Sequence, residues 1–168
     1  MLYKYPYKSE LGIITLLAND HGLLGTWFEN QAIYGGLFDL DNVLSGSDHQ
    51  STIIDQAIKW LDAYFAKQYL ETVDFQLMPQ GTAFQQDVWS ELQKIPYGET
   101  ITLDELGERI KARQTKGQGT VNAIIGAINS NPIAIMIPSH RILISSDQLG
   151  DHLATNYLGQ LLREFESS

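Results

Sequence analysis

The 168-residue sequence contains no cysteine. That excludes disulfides and thiolate-based metal sites. Positive charge is scarce too. Only 11 Lys and Arg stand against 20 Asp and Glu, a formal net charge of −9. A protein that grips nucleic acid through bulk electrostatics shows the opposite balance. Long apolar runs are also missing, and nothing approaches the roughly 18 residues that a helical membrane span needs. The opening Met1-Leu2-Tyr3-Lys4-Tyr5 lacks the apolar centre of a signal peptide, so a cytoplasmic, non-membrane location is expected. What remains, 43% hydrophobic and 18% charged, describes a globular chain long enough for one ordinary domain or two small ones.

The charge is uneven. Residues 1–80 carry four Lys and Arg against ten Asp and Glu, which is −6, and residues 81–168 carry seven against ten, which is −3. Arg109, Lys111, Arg113 and Lys116 fall within eight positions. Any nucleic-acid contact would therefore be local, made through that cluster and backbone amides. The same run also reads as a solvated loop.

Strand character dominates the first forty residues. Leu11 to Ala18 and Leu23 to Phe28 read as a hairpin about the turn residues Asn19-Asp20-His21-Gly22. Residues 39–50 are polar and read as a loop. Ile54, Ala57, Ile58, Leu61 and Phe65 then follow helical spacing and predict a helix over about 52–68. Val73 to Leu77 alternates like a strand, and Pro79-Gln80-Gly81 marks a domain boundary.

Beyond Gly81 the pattern is of short capped helices. Thr82-Ala83-Phe84-Gln85 and Thr102-Leu103-Asp104-Glu105 both have the capping-box form. Phe84, Val88, Trp89 and Leu92 supply the inner face of the first helix, and Leu103, Leu106 and Ile110 that of the second. Thr120 caps a third helix with Val121, Ile124, Ile125 and Ile128 inward. Helix, connection, helix is the order of a helix-turn-helix, although the connection of about eight residues is long for one. Ile133 to Ile137 alternates as a strand, and Leu158, Leu161, Leu162 and Phe165 define a closing helix over about 157–166. Trp27, Trp60 and Trp89 lie in periodic apolar segments and read as core. His21, His49 and His152 form no metal-ligand spacing, and no metal or cofactor is implied.

Three stretches carry a resemblance. Gly81 to Trp89, then Ile95-Pro96-Tyr97-Gly98-Glu99-Thr100, and above all Asn131 to Arg141, with its Pro138-Ser139-His140-Arg141, resemble the C-terminal domain of the O6-alkylguanine-DNA alkyltransferase family. The resemblance implies an α/β (α+β) fold, with a ribonuclease-H-like N-terminal domain over 1–80 and a winged helix-turn-helix domain over 81–168. Its implied partner is duplex DNA, bound in the minor groove with the modified guanine rotated out of the stack, since chemistry on a stacked base requires that. In the family a cysteine takes up the alkyl group, activated through water by a histidine that a carboxylate orients. Those positions match Ser139, His140 and Glu166, and Asn131 matches the asparagine bracing the turn. Leu103 and Asn122 fall where the family meets DNA, and Thr102, Arg141 and the 109–116 cluster of Arg109, Lys111, Arg113 and Lys116 are expected to contact it as well.

The sequence departs from the family at four places. Ser139 replaces the nucleophilic cysteine, and a serine hydroxyl ionises far less readily than a thiol. Asn122 stands in place of an arginine finger, Leu103 in place of a tyrosine that turns the target phosphate, and Gly150 to Thr155 in place of a Gly-rich lid. The expectation is therefore a non-catalytic monomeric homologue that binds DNA or recognises alkylguanine in repair, with a repair-protein partner as a further possibility. Two other readings stay open: a methyltransferase whose nucleophile was changed from Cys to Ser, and a paralogue turned protein-interaction module. Ser139, His140 and Glu166 also supply the residue types of a hydrolase triad. No Gly-x-Ser-x-Gly elbow surrounds the serine, however, and adjacent Ser and His rarely bond directly.

Overall fold

A computed structural model describes residues 2–29, 31, 34–43, 51–68, 73–113, 120–144 and 153–168, with side chains of the last segment from Leu158 onward. It is a mixed α/β protein in two compact units. One comprises residues 1–80 with 132–134, and the other 81–131 with 135–168.

The first unit is built on an antiparallel sheet in the order β1 (Tyr3–Ser9), β2 (Gly12–Ala18), β3 (Leu23–Phe28). The β2–β3 hairpin is the one the sequence predicts, and β1 adds a further strand that no separate signal marks. Asn19 makes the hairpin turn, its Oδ1 accepting from the amides of His21 and Gly22 at 2.8 and 2.9 Å. His21 is thus an exposed turn residue. Helix α1 (Thr52–Phe65) starts at Ser51, whose hydroxyl accepts from Ile54 N, and buries Ile54, Ala57, Leu61 and Tyr64. It packs on the sheet, while Leu40 and Val43 join Leu17, Leu24 and Trp27 in a second apolar cluster. Trp27 is fully buried, but Trp60 is only half-buried and stacks on Tyr64.

Two expected strands do not form. The 73–77 segment supplies a single parallel bridge, Leu77 to Leu23, through Leu23 N to Gln76 O and Met78 N to Leu23 O. The 133–137 segment supplies another, Ile133 to Thr26, through Thr26 N to Pro132 O and Ala134 N to Thr26 O. Residues 76–78 and 132–134 both lie along the six-residue edge of β3, so each satisfies only a few of its open backbone groups. The second segment then turns at Ile135, a β-branched residue at φ 74°, and all of Ile133 to Ile137 is buried rather than alternating.

In the second unit, α2 (Ala83–Leu92) has the complete capping box: Thr82 accepts from Gln85 N, and Gln85 Oε1 accepts from Thr82 N. Helix α3 (Leu103–Ala112) has only half of one. Thr102 accepts from Glu105 N, whereas the Glu105 carboxylate turns away to Arg109. Helix α4 (Val121–Asn129) is capped by Thr120. Its first turn corrects the expected core, because Val121 is 46% exposed and Ala127 is buried instead. Trp89 fixes α2 to α4 by donating Nε1–H to Ala127 O at 2.8 Å. A short parallel pair, β4 (Ile101–Thr102) and β5 (Ile142–Leu143), and α5 (Leu153–Ser167) complete the unit. In α5, Leu162 and Phe165 are buried, and Leu158 and Leu161 are half-buried.

Candidate functional site

The candidate site is the turn that follows α4. Asn131 is 4% exposed and donates Nδ2–H both to Ile137 O at 2.7 Å and to Ser139 Oγ at 3.1 Å. One side chain thereby ties the two ends of a buried loop. Pro138 leads into a single 3-10 turn, Ser139–Arg141, closed by Arg141 N to Pro138 O at 3.0 Å. Ser139 is half-buried, and its hydroxyl accepts from Asn131.

Behind the turn lies Glu166, from the last full turn of α5. Its Oε1 accepts from Arg141 Nε at 2.9 Å and from Gly98 N at 3.0 Å. Its Oε2 accepts from Arg141 Nη2 at 3.0 Å and meets His140 Nε2 at 2.5 Å. Arg141 also donates Nη1–H to Ile95 O at 2.7 Å and lies 5.7 Å from the centre of the Tyr97 ring. All three charged or titratable side chains are buried.

Burial by itself would raise the Glu166 carboxyl, but hydrogen bonds from His140 and Arg141 outweigh it and hold the group well below the usual carboxylate range. His140 moves the other way from most paired histidines. Burial pushes it below 6.5 despite the carboxylate, with Arg141 and Arg163 adding in the same direction. The arrangement is therefore a neutral imidazole donating Nε2–H to an ionised Glu166, whose charge Arg141 balances. That tautomer leaves Nδ1 as an acceptor. Among the described residues no hydrogen bond joins His140 to the Ser139 hydroxyl, so the three residues do not form a hydrolase triad. Nor do any three His, Asp or Glu side chains there stand where they could hold a metal ion.

The predicted DNA-contact residues divide. Asn122, in the first turn of α4, and Thr102, the α3 cap, are exposed. Leu103 is 3% exposed and lies on the buried face of α3 with Leu106 and Ile110, the face its helical spacing predicts, rather than at an exposed DNA-facing position. The Arg141 guanidinium, expected at DNA, is instead held inside by Glu166 and Ile95. Arg109 pairs with Glu105. Arg113 pairs with Asp87 at 3.1 Å and with the buried Glu91 at 2.6 Å, and Glu91 also holds Lys94. Burial would raise Glu91, but Lys94 and Arg113 hold it below its ordinary value. Lys111 is exposed. Lys116, His49, Gly150, Asp151 and His152 lie outside the described residues, as do the side chains of 153–155 that complete the expected lid.

Sequence reasoning passed over Arg163, which donates Nη1–H to the carbonyl of His140 at 3.0 Å. It also missed that Ile95, Tyr97 and Gly98 meet Arg141 and Glu166. No local signal marks such partners, which lie 23 to 68 positions apart in the chain.

The family model for the DNA-binding domain of 6-O-methylguanine DNA methyltransferase matches residues 83–166, and the model for its ribonuclease-like domain matches residues 1–79. The chain belongs to this family. A methylated-DNA–protein-cysteine methyltransferase of Methanosarcina acetivorans is 36% identical over 114 residues, 67% of this chain and 69% of that one. Its Haemophilus influenzae namesake is 32% identical over 142 residues, 84% and 73% of the two chains. The crystal structure of Mycobacterium tuberculosis O6-methylguanine methyltransferase superposes with TM-score 0.77 at 28% identity, covering 99% of this chain and 93% of that one. A second structure of the Mycobacterium tuberculosis protein, in complex with DNA, gives 0.76 at 29% identity, covering 98% and 92%. The curated relatives are methyltransferases named for a protein cysteine, whereas this family member has none. Among the described residues no helix is long and apolar enough to cross a membrane.

Proposed function

We propose that this protein is a non-catalytic member of the methyltransferase family. It binds duplex DNA through residues 81–168 and holds a guanine, preferentially an O6-alkylated one, against Ser139. The observation that carries the reading is a fully braced turn with a hydroxyl at its centre: Asn131 bonds the Ser139 Oγ, and His140, Glu166 and Arg141 interlock behind it. A serine hydroxyl with no base bonded to it is a poor nucleophile toward an alkyl carbon. Its donor and acceptor remain suited to a base edge. In this reading α3 and α4 act as a helix-turn-helix, with Thr102, Asn122 and Lys111 at the DNA and Arg109, Arg113 and Lys116 beside it. The relative solved with DNA supports the partner.

Fluorescence anisotropy on matched duplexes with guanine or O6-methylguanine at one position tests it. Binding tighter for the lesion by about tenfold, roughly 1.4 kcal/mol, is expected. The Ser139→Cys variant should then gain the mass of one methyl group on incubation with the lesion duplex, while the parent protein gains none.

One observation favours a second reading, a protein-interaction module: every described arginine of residues 81–168 has an internal partner. Lack of affinity for any DNA at low salt decides for it.

A further inference from the structure

Resting on that reading, we infer that the preferred ligand is DNA in which the base entering the site is already unpaired, such as a guanine opposite a gap or an abasic position. Two ways of extracting a base from a duplex are both weak among the described residues of the second unit.

The first is charge. Affinity for duplex DNA comes largely from cations on phosphates. The described cations of the second unit are Lys94, Arg109, Lys111, Arg113, Arg141 and Arg163. Arg141 is buried against Glu166, Arg113 is held between Asp87 and the buried Glu91, and Lys94 and Arg109 share more exposed pairs with Glu91 and Glu105. Arg163 is turned to the His140 carbonyl. Lys111 alone among them is exposed without such a partner. The start of α3, where helix N-terminal amides would otherwise favour a phosphate, carries exposed Asp104 and Glu105.

The second is reach. Proteins that open a base stack insert a long or bulky side chain into it. The exposed positions of α4 and its caps are Thr120, Val121, Asn122, Gly126 and Ser130. None is longer than asparagine, and an added Cβ at Gly126 would meet nothing within 4 Å. This face can hydrogen-bond a base edge or a sugar, but it has nothing to hold open the space a rotated base leaves. Rotation out of a paired stack costs a few kcal/mol, and least where the base is mismatched or unpaired. With few free cations and no wedge among the described residues to offset that cost, selection falls to DNA that does not impose it.

The test uses the full chain and one fluorescein-labelled duplex in two forms, with a central guanine opposite either cytosine or an abasic site. Expected is at least about tenfold tighter binding to the abasic-opposed form. The slope of log K against log salt should be no steeper than about −2 to −3, given about 0.9 per phosphate neutralised. The Asn122→Arg variant, which adds length and charge to α4, should narrow the gap by tightening binding to the paired form. Equal or tighter binding to the fully paired duplex overturns this inference while leaving the proposed function standing. Binding to neither form overturns both.

Discussion

Arg141 and Glu166 make a two-point contact, Nε to Oε1 at 2.9 Å and Nη2 to Oε2 at 3.0 Å, with both side chains inside the protein. This is the parallel fork geometry that arginine offers and lysine does not. It places the carboxylate of α5 against the turn that carries Ser139, and it removes from any DNA surface a cation that the sequence suggested was there.

Removing one member of a buried pair leaves the other charge uncompensated. Arg141→Met should therefore destabilise the second unit by about 3–5 kcal/mol. Urea unfolding followed by Trp fluorescence measures it. A loss below about 1 kcal/mol would show that Glu166 is held mainly by Gly98 and His140.

Acid should destabilise the protein from an unusually high pH. His140 is neutral when folded and titrates below its unfolded value near 6.5, so the unfolded chain binds a proton the folded one refuses. Stability from this group is complete above about pH 6.5 and declines as the pH falls through that value. Glu166, depressed when folded, adds a further loss below about 4.5. Denaturation midpoints at pH 7.5 and 5.5 should differ, and His140→Gln should flatten the difference. An equal slope in the variant would move the cause elsewhere.

Asn131→Ala deletes the donor to Ile137 O and Ser139 Oγ together. Ile137 O keeps its bond from Ser139 N and Ser139 is half-buried, so the expected cost is that of the lost hydrogen bonds, about 0.5–1.5 kcal/mol each. The variant should also lose discrimination between guanine and O6-methylguanine duplexes, because the Ser139 hydroxyl is no longer oriented. Retained discrimination would show that the 3-10 turn alone positions Ser139.

The two capping motifs should respond differently. Thr82→Ala and Thr102→Ala each remove a cap worth about 1 kcal/mol. Gln85→Ala should add a cost at α2, where its side chain bonds Thr82 N. Glu105→Ala should change stability by no more than about 0.5 kcal/mol, because it gives up only a surface pair with Arg109. Thermal melts of the four variants separate these outcomes.

Local signals in the sequence made the helices and the residues of the candidate site legible. Caps and apolar periodicity act within one or two turns, so Thr82, Thr102 and Thr120 could be located without knowing what lies beyond them. The Asn131 to Arg141 stretch is continuous, so its residue types were legible in order. Tertiary structure decided whatever depends on a partner far along the chain. The residues 73–77 and 133–137 alternate as strands should, yet they share one edge of β3 and form one bridge each. Arg141, a cation expected at DNA, turned inward because a buried carboxylate was available to it. Alternation and charge describe what a segment can do. Competition for a finite edge and for buried counter-charges settled what these segments do.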